Sequence, residues 1–358
     1  MILQDFRPFI YFYKNIRFTS GMPELHRHYP LKKLNTFGVE SHAECFARPE
    51  NLKELISVLN EYNRENLPVL ILGKGSNILF RRDIEGLVVH PAFAGIEKVK
   101  EQDSQVWVSV GAGENWDRWV AYATEKGWYG LENLSLIPGS VGSAPIQNIG
   151  AYGVEISDRF AWLDAYDPER KEVVRMNGED CRFGYRTSVF KTGPAGRYIV
   201  TRVTFRLHTQ PLLNLDYGNV RNEFTAGGGQ TPADLRQLII SIRKRKLPDP
   251  AEFGNAGSFF KNPMVEKAIF NCIRTEFPDA PSYPVHDNQV KIPAAWLIEK
   301  AGWKGKRIGH VGTWPHQPLV VVNYGRATGQ EILDFTEMIR ADVNKRFGIE
   351  LEREVRVV

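Results

Sequence analysis

The chain is predicted to fold as an α+β protein built from several subdomains. Three observations predict it: capped helical patterns and short strand patterns are mixed along the chain, no internal repeat appears at any period of about 20 to 50 residues, and 358 residues suit two or three domains rather than one. Residues 1–30 carry aromatics and scattered bases, among them Phe6, Phe9, Tyr11, Lys14 and Arg17, without a helical or alternating period. The first clear helix covers 51–62, where Leu52, Leu55, Ile56 and Leu59 recur at helical spacing and Asn51 and Glu54 stand as a capping box. A β run follows at 69–72, and further strands read at 87–90, 106–110, 199–207 and 319–322. G-A-G-E-N-W, ending at Trp116, opens a helix whose stripe of Trp116, Trp119, Val120 and Ala123 is expected to be core. Thr231, Pro232 and Asp234 start a helix carrying Leu235, Leu238, Ile239 and Ile242. Another starts at Thr328 with Glu331 three residues on, runs through Ile332, Phe335 and Ile339, and stops at Gly348. Residues 349–358 alternate as a strand.

Hydrophobic residues make up 42% and charged residues 25%, with 31 Gly and 21 Pro, a composition that excludes disorder, collagen and coiled coil and fits a loop-rich globular protein. No apolar run approaches the roughly 18 residues of a membrane span, and the first residues lack the apolar core of a signal peptide, so a cytoplasmic protein free of membrane is expected. Cys45, Cys181 and Cys272 are odd in number and show no C-x-x-C spacing; they read as reduced core thiols, not as a disulfide framework or a metal site. A net charge of +4 gives no support to nucleic-acid binding and is compatible with a small anionic ligand.

Two glycine-rich segments carry the chemistry. I-L-G-K-G-S-N, residues 71–77, follows a strand, and its glycines and serine can turn successive N–H groups inward as an anion nest for a phosphate or pyrophosphate. It lacks the third glycine and following helix of a Rossmann fingerprint, and a plain tight turn between strands explains it equally well. The second segment, 137–153, has few charges and apolar positions at Ile137, Val141, Ile146 and Ile149. It suits a loop packed on something flat and uncharged, for which an isoalloxazine ring is a candidate and a ligand-free structural loop the alternative.

Together with these segments, G-L-E-N-L-S-L-I-P-G-S-V-G, P-I-Q-N-I-G-A-Y-G, F-G-Y-R-T-S-V-F-K, K-L-P-D-P, G-N-A-G-S-F-F-K-N-P and L-E-R-E-V-R resemble the bacterial UDP-N-acetylenolpyruvoylglucosamine reductases, flavoenzymes of peptidoglycan precursor synthesis. The resemblance runs from Asn35 to Arg356 and includes the tyrosine loop of the family's first type. It implies a vanillyl-alcohol-oxidase-type FAD-binding fold in two subdomains, 31–94 completed by 348–358, and 95–247, plus a smaller α+β substrate-binding domain at 248–347. It also implies non-covalent FAD, NADPH as co-substrate, and a monomer in which NADPH reduces FAD and the reduced flavin converts the enolpyruvyl ether of UDP-N-acetylglucosamine to a lactyl ether. By the same likeness Leu72, Gly73, Gly75, Ser76 and Asn77 of the first segment contact FAD, as do Pro138, Gly139, Val141, Gly142, Ile146, Asn148, Gly150, Ala151, Tyr152 and Gly153 of the second.

Reducing an enol ether conjugated to a carboxylate delivers hydride to the β-carbon and leaves an enolate that needs cationic or hydrogen-bonding stabilisation and then a proton. Arg186 matches the family's arginine that braces the substrate carboxylate, where a surface salt bridge is the ordinary role of a loop arginine. Ser258 matches its proton donor, although most serines beside glycine are turn residues. Glu354 matches its catalytic glutamate, which helps position or polarise the enolate and substrate, so that with Arg186 it would stabilise the enolate; by alternation Glu350, Glu352 and Glu354 would share one solvated strand face. For the substrate, Tyr217 matches the tyrosine over the nucleotide sugar and Lys246 a diphosphate ligand, in a basic run that otherwise complements a helix dipole. Asn262 matches a diphosphate contact and also reads as an N-cap before Pro263; Gln317 is carried over from a stretch, T-W-P-H-Q-P-L, that departs from the family pattern.

Another flavin oxidoreductase of the same fold is one alternative, though no histidine for covalent tethering lies in either glycine segment. A nucleotide-sugar-binding protein without catalysis is a second, against which Arg186, Ser258 and Glu354 are all present. Met22 stands 13 residues before Asn35, and is expected to serve as a start, with 1–21 a dispensable extension. Deleting 1–21 should leave flavin content and turnover within about twofold, as for an untethered terminus; an insoluble or flavin-free product would show the segment to be part of the fold.

Overall fold

The computed structural model describes residues 24–62, 68–193, 197–285 and 288–358. The segment 1–21 and Met22 lie outside the described residues. Within them, three helices start at the side-chain caps that the capping patterns predict. Asn51 Oδ1 accepts the Glu54 N–H at 3.0 Å, and the helix Leu52–Tyr62 follows. Thr231 with Asp234 caps Pro232–Lys246, and Thr328 with Glu331 caps Gly329–Phe347, which ends at Gly348 in the left-handed region with φ 65°.

Three sheets carry the architecture. A mixed four-stranded sheet has the order His26–Pro30, His42–Ala47, Ile84–Val89, Val69–Ile71, its first pair antiparallel and the other two parallel. An antiparallel five-stranded sheet runs Glu172–Met176, Phe160–Asp167, Ile199–His208, Gln105–Gly111, Ile96–Gln102. A third, also antiparallel, runs Gly254–Ser258, Gln317–Asn323, Val311–Trp314, Arg307–Ile308. The largest core joins Leu55 and Val89 of the first sheet's side to Trp116, Trp119, Val203 and Phe205 of the second, so the aromatic stripe is core. A second core gathers Phe259, Leu297 and Phe335 with Phe37 and Leu79 from the N-terminal half and Leu351 and Val355 from the chain end. The strand Arg356–Val357 then pairs in parallel with Ile78–Leu79.

The structure corrects the sequence reading in four places. His26–Pro30 is a paired strand, so the fold begins before residue 31. Three strands of the five-stranded sheet's register were unread or undivided: Ile96–Gln102, Phe160–Asp167 and Glu172–Met176. Cys272 is exposed on the helix Lys267–Glu276 and is no core thiol; Cys45 and Cys181 are buried. The end of the chain is not one alternating strand, because it bends at Val355 and only Arg356–Val357 is β. No helix of the described residues is long and apolar enough to cross a membrane.

One buried carboxyl leaves a pH signature. Glu132, 1% exposed in the short helical turn Glu132–Leu134, accepts the Gly130 N–H at 2.8 Å, while its Oε1 has no partner. Burial pushes it up to about 7, against the opposing pull of backbone N–H groups and Arg159. The folded state therefore holds this proton more tightly than the unfolded chain, and stability from this group is lost as pH rises from the unfolded value toward 7. Glu132→Gln keeps the oxygen that accepts from Gly130 and cannot ionise. Urea titrations should find its stability relative to the wild type rising by up to about 3 kcal/mol between about pH 5 and about pH 8; a pH-independent difference would show that Glu132 ionises freely.

Candidate functional site

After the strand Val69–Ile71 the chain turns through 73–77, and none of these five N–H groups makes a hydrogen bond among the described residues. Gly75 is buried at φ 63°, and a Cβ there would stand 2.0 Å from the Leu34 carbonyl oxygen, so only glycine fits. The second segment contributes the 3-10 helix Val141–Gln147, opened by Ser140 and Ser143. A Cβ on Gly73 would lie 3.1 Å from Ser140 Oγ, and one on Gly139 3.4 Å from Ser76 Oγ, so the two segments face each other through bare backbone and hydroxyls. Unpaired N–H groups with serine hydroxyls and no carboxylate bonded among them have the chemistry to cradle an anion such as a diphosphate.

The rest of the second segment is anchored to protein. Val141 is fully buried, Ile137, Ile146 and Ile149 pack on the main core, and Gly142 closes on Ala112. Asn148, left-handed at φ 46°, spends its side chain on Glu155 at 2.7 Å, the Gly184 carbonyl at 3.2 Å and the Ser157 N–H at 3.1 Å. Pro138 and Gly153 are exposed, and Tyr152 and Gly153 form the turn between the paired strands Gly150–Ala151 and Val154–Glu155.

Gly150 leads to the charged centre. Its carbonyl accepts Arg186 Nη2 at 2.6 Å, while Arg186 Nε meets Glu354 Oε1 at 3.2 Å and Nη1 faces Glu155 at 3.7 Å. Arg186 itself sits at φ 54° in the turn Gly184 to Thr187. Glu354 is 12% exposed; burial raises its proton affinity, and Arg186, Lys191 and Lys261 pull it back. It does not share the solvated face of Glu350 and Glu352. Its N–H bonds the Phe259 carbonyl at 2.8 Å just before the bend at Val355. That bond sets Glu354 beside the strand end at Ser258, where Gly257 lies at φ 68° and the Ser258 hydroxyl makes no hydrogen bond among the described residues.

The substrate-anchor candidates are spread around this centre. Tyr217 is half-exposed and meets Tyr152 edge-on at 5.9 Å. Lys246 is exposed at the end of its helix, while Arg243 of the same run turns toward Tyr152 and Asp117 with its Nε buried and unpartnered. Gln317 opens the strand next to Gly254–Ser258 and its Oε1 accepts the Leu319 N–H at 3.4 Å. Asn262 caps no helix of its own, since the strand Met264–Glu266 follows it; its Oδ1 reaches across to the N–H of Ala294, first residue of the helix Ala294–Lys300, at 2.9 Å.

The family model described as "FAD binding domain" matches residues 43–177, and that described as "UDP-N-acetylenolpyruvoylglucosamine reductase, C-terminal domain" matches 249–358. The reductase of Amoebophilus asiaticus is 44% identical over 94% of this chain and 99% of its own, and that of Pseudomonas aeruginosa 46% identical over 92% and 98%. The chain belongs to the UDP-N-acetylenolpyruvoylglucosamine reductase family. The solved reductase of Thermus caldophilus superposes with a TM-score of 0.64 at 25% identity, covering 94% of this chain and 98% of that one. The nest at 73–77 fits the FAD that this family's matched domain binds, since a diphosphate would satisfy N–H groups the protein leaves unpaired.

Sequence reasoning missed Tyr185, whose ring lies 5.2 Å from the Arg186 guanidinium and 4.7 Å from Lys291 Nζ, and Glu155, Gln147 and Lys191. Three of these stand inside quoted motifs, Tyr185 and Lys191 in F-G-Y-R-T-S-V-F-K and Gln147 in P-I-Q-N, so the motif strings held the signal and only contact geometry could rank it. Gly150 shows how tightly this charged centre is built: a Cβ there would lie 2.9 Å from both Arg186 Nη1 and Glu155 Cγ and 3.1 Å from the Val154 carbonyl oxygen. Gly150→Ala should displace this flexible guanidinium and cost only about 1 kcal/mol of stability. Flavin content should hold while turnover falls by about tenfold or more, the loss of a positioned charge-assisted bond. Unchanged turnover in the folded variant would mean that Arg186 need not sit on the Gly150 carbonyl.

Proposed function

We propose that this chain reduces the enolpyruvyl group of UDP-N-acetylglucosamine enolpyruvate to give UDP-N-acetylmuramate, with NADPH as reductant. This is a cytoplasmic step of peptidoglycan synthesis, on which cell shape and division depend, and we assign it to a monomer. Residues 26–247 with 348–358 would form the FAD-binding part, and 248–347 the part that takes the UDP-sugar. The observation that carries the reading is the Arg186–Glu354 pair set against the uncommitted hydroxyl of Ser258. Bound FAD supplies the hydride chemistry, from NADPH to the enolpyruvyl β-carbon.

The protein's own residues answer for the charge and the proton. Arg186 is planar and permanently charged, so it can share its N–H edge with the substrate carboxylate as negative charge builds there. Its bonds to Gly150 and Glu354 fix that edge before substrate arrives. Glu354 holds Arg186 in place, and Ser258 gives its proton to the α-carbon. A hydroxyl is a weak acid, yet an enolate is basic enough to take its proton where a water or charged neighbour returns one to the serine oxygen. Tyr217, Lys246, Asn262 and Gln317 would hold the UDP-sugar at the rim.

The reading is tested by separating the two half-reactions in stopped flow. Ser258→Ala should keep its FAD and be reduced by NADPH within about twofold of the wild-type rate. Its reoxidation by the UDP-enolpyruvyl sugar should slow by about 10² to 10⁴, the range for losing a positioned acid. Ser258→Cys should recover part of the loss. Impaired flavin reduction would make Ser258 a cofactor contact, and normal rates in both halves would make it a turn residue.

A further inference from the structure

The helix Val189–Thr192 begins three residues after Arg186 and is held by its cap: Ser188 Oγ accepts the Phe190 N–H at 3.3 Å and donates to the Ile146 carbonyl at 2.6 Å. This fixes Lys191, partly buried, so that its Nζ donates to the backbone carbonyl of Glu354 at 3.3 Å. The same carbonyl accepts Asn77 Nδ2 at 3.2 Å, and Asn77 Nδ2 also bonds Gln147. With the Glu354 N–H on Phe259, both backbone polar groups of this residue are held, by segments drawn from every part of the site.

The charges point the same way. Arg186 is already divided between Glu354 and Glu155, and the Lys261 ammonium is paired with Glu352. Lys291 sits over the Tyr185 ring and acts on Glu155. Lys191 makes no ion pair within 4.0 Å among the described residues, and spends one of its three N–H groups. Holding an ammonium here is costly, since burial and the like charge of Lys261 both weaken its hold on the proton. A neutral amide would serve a carbonyl bond as well. The charge has a use only if something nearby is negative; Glu354 and, more weakly, Glu352 act on it, and of these Glu352 is already paired with Lys261.

We propose that Lys191 is a positioning residue for the second half-reaction: it pins Glu354 through its carbonyl and supplies the positive charge that lets Arg186, without leaving its place, share its charge with a substrate carboxylate while Glu354 stays compensated. One guanidinium cannot serve Glu155, Glu354 and an incoming carboxylate at full strength, and the second cation makes up the difference. The proposal rests on Glu354 acting in that half-reaction.

The experiment compares Lys191→Gln, Lys191→Arg and Glu354→Gln as FAD-loaded enzymes, with flavin content, reduction by NADPH and reoxidation by the UDP-enolpyruvyl sugar measured separately. Lys191→Gln should bind FAD and be reduced within about twofold of wild type, but reoxidise about tenfold or more slowly at saturating UDP-sugar, the scale of one charge-assisted contact. Lys191→Arg, which keeps the charge, should recover most of that rate. Equal rates in Lys191→Gln and wild type overturn the proposal, as do equally slow Gln and Arg variants. A Lys191→Gln protein that loses FAD also overturns it, because the lysine would then hold the fold or the cofactor. If Glu354→Gln reoxidises normally, the functional reading fails with it; if Glu354→Gln is slow and Lys191→Gln is not, the role of Lys191 alone falls.

Discussion

A carboxylate buried four residues from the end of the chain sets the terms for the rest of this structure. Glu354 is nearly out of water, and taking a charge to such a place costs several kcal/mol that its partners must offset. Arg186 is the principal one, at 3.2 Å. For Arg186 to stand there, its own backbone takes the left-handed conformation, Gly150 must lack a side chain, and the Gly150 carbonyl must point at the guanidinium. Asn148 then holds Glu155 and the Gly184 carbonyl, so the two loops that meet at the pair cannot drift apart. The glycines of the second segment thus serve an ion pair as much as a ligand.

Bringing residue 354 to residue 186 is the work of apolar anchors. Leu351 and Val355 are buried on either side of Glu354, each contributing about 1.5 to 3 kcal/mol of burial, and they lock the chain end onto the core around Phe259 and Phe260. The backbone of 352–354 bonds to 259–261, and Arg356–Val357 continues in parallel beside Ile78–Leu79. Between these two pairings the chain bends at Val355, and Glu354 beside it lies inward while Glu350 and Glu352 stay at the surface. Ser258 and Asn77 are neighbours of the same few residues for this reason: each lies next to a strand segment that the chain end uses as its track.

What was legible in the sequence is what local chemistry decides. Asn51 with Glu54, Thr231 with Asp234 and Thr328 with Glu331 announce helices because the cap is made within four residues, and Gly348 ends one because few other residues adopt its φ. Ile96–Gln102 was silent: an edge strand rich in Lys and Glu, largely exposed, joined to its neighbour by Asp103 and Ser104 at positive φ without the glycine that usually marks such a turn. Phe160–Asp167 has buried residues at both parities and shows no alternation. The strong motifs marked Arg186, Ser258 and Glu354 one by one, but their meeting depends on pairings between distant segments, and no spacing rule reports it. The Asn262 cap failed for the same reason, since the helix it serves starts at Ala294.

The site answers two kinds of negative charge in two ways. At 73–77 the donors are backbone N–H groups, which carry partial charge, need no counter-ion and suit a group that is bound and kept. Around Glu354 the donors are full cations, of which Arg186 and Lys261 are already engaged with Glu354, Glu155 and Glu352, while Lys191 is tied only to the Glu354 backbone carbonyl. A reaction that builds charge on a carboxylate gains most from dipoles and cations oriented beforehand, because they need not reorganise as the charge appears. Engagement with internal carboxylates keeps Arg186 oriented in the resting protein. The internal carboxylates are therefore not a drain on the binding of an anionic substrate but the means by which its partner is held ready.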